Sequence, residues 1–320
     1  MCSIAVVIPC YNGWAYMHKC LDSLERQTVL PDEVIVCDDC SNDDSFKLLS
    51  DYAKHTKLNI SVISNEVNSG PGVARMNAVK KATAEYIAFC DCDDWYELVY
   101  VEKVKDCIKK DNVDLVICDN YQTYDNYRIA EKVTGKIKNC SRNEILAFYP
   151  MSLCRFTVRR SIVLRTISAA IYNGEDAAVA AQIIALSNNI KIVDEPLYNY
   201  YIRKGSASNN PTKNAFKGML TAFSVIEKAL IDKYPEETEY LGIKLVCYAA
   251  TLNAYKAGIS HMEVKMFLNK FKQSYPSWFD NKYIGNLDKK KSVYVWAIKN
   301  NLLIFCKAYA VLHMYIINKL

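Results

Sequence analysis

Phe89-Cys90-Asp91-Cys92-Asp93-Asp94-Trp95, which follows directly on the apolar run Tyr86-Ile87-Ala88-Phe89, sets three carboxylates into four residues. A strand feeding straight into clustered acids places negative charge at the carboxyl edge of a sheet, where open α/β sheets bind their ligands. Carboxylates this close repel one another unless a cation or hydrogen-bond donors neutralise them. Asp91 and Asp93 alternate along an extended backbone and so point the same way. Hard oxygens at that spacing suit Mg2+ or Mn2+, with phosphate oxygens completing the shell. The same cluster also reads as an acidic turn capping the next helix.

On the N-terminal side, apolar runs alternate with helical patterns. Strands are expected at Ile4–Ile8, Val34–Cys37, Ile60–Ile63 and Tyr86–Cys90, and helices at Ala15–Gln27, Ser45–His55 and Gly72–Thr83. Asp43 or Asp44 is available to cap the second helix. Four strands alternating with helices mean βαβ units and a mostly parallel, doubly wound α/β sheet. Right-handed crossovers bring the loops 9–13, 38–43, 68–71 and 91–95 to one edge. On the C-terminal side the pattern predicts a helix at Leu98–Lys109, a strand at Asp114–Cys118, a polar, Tyr-rich stretch over 119–140, an apolar helix at Asp176–Leu186, and strands near Ile190–Val193 and Leu197–Ile202. Periodicity breaks at Gly205-Ser206-Ala207-Ser208-Asn209-Asn210-Pro211 and is helical afterwards, with helices expected at 213–233, 237–257 and 261–273. The chain therefore divides into an α/β domain, residues 1–208, and a helical region, 209–320, with a basic tail.

A hydrophobic content of 51% with 23% charged residues is that of a globular chain. Residues 211–320 hold 16 Lys and no Arg against 8 acids, whereas the first 210 carry 24 basic residues against 27 acidic. A mildly acidic front argues against nucleic acid as a partner, since a nucleic-acid binder carries its basic face where its chemistry lies. The basic rear fits a tail that meets an anionic surface. Lys289-Lys290-Lys291 precedes the apolar, aromatic Val293–Tyr315, which Lys299 and Lys307 interrupt. Neither uninterrupted piece approaches the roughly 20 residues needed to cross a bilayer. A lysine-flanked helix pair in 289–320 is expected to contact a membrane peripherally or to pack on the rest of the chain.

The 13 cysteines are scattered. Cys37-x-x-Cys40 with Cys90-x-Cys92 imitates a zinc site, but the thiols interleave with four aspartates and lack the usual spacing in both halves. Free thiols are the better reading. The N-terminus enters a strand at once without a secretory signal, so a cytoplasmic location with reduced thiols is expected.

The converging loops carry Ile8-Pro9-Cys10-Tyr11-Asn12-Gly13, Cys37-Asp38-Asp39-Cys40-Ser41-Asn42-Asp43 and Asn68-Ser69-Gly70-Pro71-Gly72-Val73-Ala74-Arg75. A carboxylate at a strand tip can accept from a base or a ribose hydroxyl. The glycines and helix N-terminus of the third loop suit an anion, and Arg75 adds positive charge. Taken singly, each piece also reads as a turn, a cap or a solvated arginine. A dehydrogenase would need its Gly-rich turn after the first strand, whereas Gly70-Pro71-Gly72 follows the third. A nucleotidyltransferase would need a Gly-rich loop with Arg and Lys where Pro9-Cys10-Tyr11-Asn12 stands. A sugar-nucleotide-binding module without catalysis would tolerate loss of acids that are all present here.

Together these pieces resemble family 2 glycosyltransferases with the GT-A fold, of the bacterial surface-polysaccharide type. Gly174-Glu175-Asp176 and Tyr198-Asn199-Tyr200-Tyr201-Ile202-Arg203 with Ser206 and Ser208 are weaker matches, and the resemblance covers roughly residues 3–208. It implies inverting transfer of a sugar from a nucleoside diphosphate donor, most often UDP-linked, to a hydroxyl on a glycan or lipid-linked glycan. By the family pattern Pro9, Tyr11 and Asp39 flank and bind the base, Asn68 and Arg75 belong to the donor site, Asp91 meets the ribose and Asp93 holds Mn2+ or Mg2+. Asp176 is the family's base, and Arg203 and Ser206 contact the diphosphate. The stretch Cys154-Arg155-Phe156-Thr157-Val158-Arg159-Arg160 departs from the family's Trp-Asn-Lys-like run, which leaves the sugar open.

Overall fold

The computed structural model describes residues 2–132, 134–167, 171, 173–202 and 213–317. The chain forms two compact units: Met1–Arg142 with Tyr149–Ala170 and Val179–Arg203, and Asn143–Phe148 with Ile171–Ala178 and Lys204–Leu320. The boundary expected between 208 and 209 falls outside the described residues.

In the first unit the order is β1 (Ile4–Cys10), α1 (Trp14–Glu25), β2 (Glu33–Asp38), α2 (Ser45–Ala53), β3 (Ile60–Ser64), α3 (Pro71–Lys81), β4 (Tyr86–Phe89), β5 (Trp95–Tyr96), α4 (Tyr100–Asp111), β6 (Leu115–Thr123) and β7 (Arg128–Glu131). There follow the short α5 (Thr134–Ile137), β8 (Phe156–Arg159), α7 (Arg160–Val163) and β9 (Ile190–Tyr201), while α6 (Arg142–Phe148) lies almost wholly in the second unit and α8 (Glu175–Leu186) begins in the second unit and continues into the first from Val179. The sheet order is β3-β2-β1-β4-β8-β6-β9-β5, with β7 paired to β6. All seven residues of β1 are buried, as a central parallel strand covered on both faces requires. Its inward set, Ile4, Val6 and Ile8, packs with Met17, Leu21 and Leu24 of α1 and with Val101, Val104 and Ile108 of α4. The helix expected at Ala15–Gln27 thus starts one residue earlier, ends two residues earlier and buries Met17, Cys20, Leu21 and Leu24.

The α/β class and its parallel half are as the alternation predicts: β1 pairs with β2 and β4, and β2 with β3, all parallel. The other half is mixed, because β8 runs antiparallel between β4 and β6, and β5 antiparallel to β9. The two strands expected near 190–193 and 197–202 are one, β9, whose pairing with β6 shifts register around Asp119. Asp194-Glu195-Pro196 fills the irregularity, as proline in a strand requires. At the start of α2 it is Asp43 that caps, accepting from the Ser45 N–H at 2.9 Å.

The second unit is built on α9 (Lys213–Leu230), α10 (Pro235–Gly242), a π-helical stretch (Ile243–Ala250), α11 (Thr251–Lys256), α12 (His261–Ser274), α13 (Lys289–Lys299) and α14 (Leu303–Ile317). Ser260 and Glu263 have the spacing of a capping box, and Ser260 Oγ accepts from the Glu263 N–H at 3.2 Å. Asp288 caps α13 by accepting from the Lys291 N–H at 3.0 Å. Gly242 lets α10 approach closely, since a Cβ there would lie 2.4 Å from Phe271 and 2.7 Å from Phe223.

Candidate active site

The loops after β1, β2 and β3 are stitched together by side chains that the sequence supplies at strand tips. Asn12, in the left-handed region at φ 48°, donates its N–H to Ser41 Oγ at 2.9 Å and accepts from the Asn42 N–H at 3.0 Å. Asn tolerates that conformation better than most residues. Asp38 is buried and accepts from both the N–H and the hydroxyl of Ser41. Pro9 lies within β1 opposite Cys37, and Tyr11 projects into solvent at 46% exposure.

Asp39 is also buried. Its carboxylate accepts from Asn65 Nδ2 at 2.7 Å, the Ser69 N–H at 3.0 Å and the Gly70 N–H at 2.6 Å. Asn65 is itself held by Asn77 Nδ2 at 2.9 Å. A carboxylate offers about four acceptor positions, so three donors leave room for one more. Gly70 adopts φ 87° and ψ 162°, a conformation open to glycine, and so aims its N–H at Asp39 just before Pro71 starts α3. Asn68 is exposed in the same loop.

One turn into α3, the buried Arg75 reaches Asp91 at the tip of β4, Nη2 to Oδ1, at 2.9 Å. Asp91 and Asp93 remain partly exposed while Asp94 is buried. The cluster therefore divides its labour. Asp94 accepts from the Tyr198 hydroxyl at 2.6 Å and from the Tyr201 N–H at 2.7 Å, and the Tyr198 oxygen in turn accepts from the Asp91 N–H at 3.2 Å. Burial pushes the Asp94 carboxyl well above the usual carboxylate range; Asp91 and Asp93 add repulsion, and the two hydrogen bonds oppose the rise. Tyr96 stacks on Tyr100 at 3.8 Å and donates to the Phe89 carbonyl at 2.6 Å, which fixes β5 beneath the strand tip. Among the thiols, Cys92 is pushed up by its hydrogen bond with Cys10 and by burial.

Asp176 lies in the first turn of α8, partly exposed, after Gly174 at φ 94°. That segment belongs to the second unit. It packs tightly on α9: a Cβ on Gly218 would lie 2.3 Å from the Asn173 carbonyl oxygen. Arg203 and Ser206 lie outside the described residues. Sequence reasoning missed the part of Tyr198 and Asn65; both stand in polar runs at strand ends, and only strand pairing brings them to the acids.

Among the described residues no group of three or more His, Cys, Asp and Glu is placed to hold a metal by itself. Asp93, a partly exposed carboxylate at the strand tip, is nevertheless the kind of donor that Mg2+ or Mn2+ uses when phosphate and water complete its shell. The residues present fit such an ion.

The carboxyl edge of the parallel half of the sheet thus carries these acids and an arginine-held aspartate. The model of glycosyl transferase family 2 matches residues 5–175, more than half of the chain, and the chain belongs to that family. Glycosyltransferase GlyA of Streptococcus pneumoniae is 26% identical over 280 residues, 80% of this chain and 39% of that protein. The uncharacterized glycosyltransferase EpsJ of Bacillus subtilis is 27% identical over 228 residues, 66% of this chain and 64% of its own length. The chain thus spans less than two thirds of each of these relatives. A crystal structure of S. aureus TarS 1-349 in complex with UDP superposes with a TM-score of 0.69 at 20% identity, covering 95% of this chain and 89% of that one. At that identity the likeness is one of fold.

Proposed function

We propose that the protein is an inverting glycosyltransferase that moves a sugar from a UDP-sugar to a hydroxyl of a glycan or lipid-linked glycan in surface-polysaccharide or cell-wall synthesis, in the cytoplasm at the inner face of the cell membrane. The observation that carries this reading is the strand tip where Arg75 holds Asp91 beside Asp93, with Asp39 cradled by Asn65, Ser69 and Gly70, inside the segment the family model matches. Solved structures of the TarS neighbour hold UDP and UDP-GlcNAc, which supports a UDP-sugar donor.

In this reading Asp39 takes the base N–H with its remaining acceptor position, and Tyr11 lies against the base beside Pro9. Asn68 and Arg75 shape the donor loop, and Arg75 orients Asp91 toward the ribose. Asp93 would hold Mn2+ or Mg2+, which when bound offsets the charge that builds on the departing diphosphate. Arg203 and Ser206 would contact the diphosphate. Inversion needs a base opposite the leaving group, and Asp176 accepts the acceptor hydroxyl's proton as that oxygen attacks the anomeric carbon. The donor's glycosidic bond breaks and its electron pair leaves with UDP.

Calorimetric titration with UDP, with and without Mn2+, tests the donor site, and hydrolysis of a panel of UDP-sugars tests turnover. Metal-dependent UDP binding is expected, lost in Asp93→Asn. Asp176→Asn is expected to bind UDP as the parent does and to transfer nothing. Retained turnover in that variant removes Asp176 from the mechanism, and failure to bind any nucleotide overturns the reading.

A further inference from the structure

The 32 residues from Lys289 to Leu320 contain six lysines and no Asp or Glu. Two helices fold from them, and each turns apolar side chains to solvent. On α13 the outward residues recur at helical spacing: Lys289, Lys290, Val293, Trp296 and Lys299 are exposed, while Tyr294, Val295, Ala297 and Ile298 are buried. Helix α14 is apolar around most of its girth, Lys307 and His313 apart. Leu303, Cys306 and Ala310 are buried, yet Ile304 is 81% exposed, Leu312 58%, Val311 53% and Phe305 45%. Ile304, Lys307, Ala308, Val311 and Leu312 line a shallow concave strip along it. Contiguous exposed apolar surface marks an interaction site.

Charge decides between the occupants. A second copy docking through the same faces would set lysine against lysine, because a two-fold contact uses one patch twice and this segment has no acid to answer it. An anionic bilayer answers both features at once. Its headgroups attract lysines, and its acyl boundary takes the apolar side chains of a helix lying in the interface plane. Trp suits that boundary, and a lysine such as Lys307 can lay its stem along the apolar strip while its ammonium reaches a phosphate. Among the described residues no helix is long and apolar enough to cross a membrane.

We propose that the outward faces of α13 and α14 dock on an anionic phospholipid bilayer, with Trp296, Ile304, Phe305, Val311 and Leu312 entering the acyl boundary and Lys289, Lys290 and Lys307 meeting lipid phosphates. This deepens the membrane placement proposed above and rests on it; it does not depend on the sugar chemistry. Flotation of the full chain with phosphatidylglycerol/phosphatidylcholine vesicles, against phosphatidylcholine alone, tests it. Binding is expected to the anionic vesicles and to be about tenfold weaker to neutral ones. It should weaken as salt shortens the screening length from about 10 Å at 0.1 M toward about 3 Å at 1 M. Ile304→Glu/Leu312→Glu should lower binding by about tenfold with melting and UDP affinity unchanged, since both residues are exposed. Lys289→Gln/Lys290→Gln/Lys307→Gln should weaken it and flatten the salt dependence. Absence of flotation, undiminished binding by the double glutamate variant, or a lipid-free dimer in light scattering that Ile304→Glu dissolves would each overturn the proposal. Vesicle binding without UDP binding would instead sink the transferase reading and leave this one standing.

Discussion

Asp94 is the carboxylate of the cluster that solvent does not reach. Its contacts run to Tyr198 and Tyr201, so it fixes the strand-tip loop to β9. Tyr198→Phe removes the donor to Asp94 and the acceptor of the Asp91 N–H together. We expect a folded protein whose donor KM, or requirement for Mn2+, rises by about tenfold, the worth of roughly one charge-assisted hydrogen bond. The pH dependence has a definite sign. Because the folded Asp94 carboxyl titrates above its unfolded value, its stability contribution is complete below the ordinary carboxylate range and is lost as pH rises through the folded value. The Tyr198 hydroxyl supports the ionised form, so melting curves recorded across a pH series should show a larger penalty for Tyr198→Phe above the folded Asp94 value than below it. Equal penalties would mean that Tyr198 is only filling space. The acids themselves were legible in the sequence, because carboxylates ending an apolar run have few physical uses. Tyr198 was not, because its contact with Asp94 spans 104 residues and follows from β5 pairing with β9, Trp95 opposite Asn199.

At the scale of elements, hydrophobic periodicity located the helices and strands of the first ninety residues to within one to a few positions. It was silent on strand direction here, since a strand covered on both faces is buried nearly throughout whichever way its neighbour runs, as in parallel β1 and antiparallel β8. That is why the antiparallel entry of β8 between β4 and β6 was not anticipated, and why Pro196 split β9 in the reading but not in the fold. Helix α9 offers a sharper test. Gly218→Ala would drive a Cβ into the backbone of Asn173, three residues before Asp176. Backbone cannot step aside as a flexible side chain does, and overpacking of this kind costs about 1–3 kcal/mol. The expected outcome is a lower melting temperature and slower transfer with UDP affinity kept. A loss of UDP affinity instead would show that the 173–176 turn bears on donor binding. Gly70→Ala should behave in the opposite way: nothing crowds its Cβ, but φ 87° strains any other residue, so donor affinity should fall as Asp39 loses its cradle.

Across the whole molecule, the uneven charge noted in the sequence becomes a property of the second unit. Lys244, on the π-helical stretch, donates to the Ala147 carbonyl at 3.1 Å, and burial pushes its ammonium down to about 7, with Lys291 adding repulsion. Between that value and the ordinary 10.5 the unfolded chain holds a proton that the folded chain has released. Stability therefore rises with pH across this window and is lowest below it. Lys244→Met should melt above the parent by a few degrees below about pH 7 and lose that advantage toward about pH 10. A constant gap would place the effect in packing alone. Length and composition could not announce this lysine, because its neighbours come from sequence positions 97 and 47 residues away.

Cys40 follows Asp39 in the donor loop, at φ 59°, and among the described cysteines it alone is exposed. The protein thus carries a labelling handle of its own. A maleimide fluorophore on Cys40 would sit next to the residue assigned to the base, with Cys2, Cys92, Cys107 and Cys140 only partly exposed and the other thiols buried. Cys40→Ser supplies the unlabelled control, and nucleotide occupancy could be followed optically without engineering a cysteine into the chain.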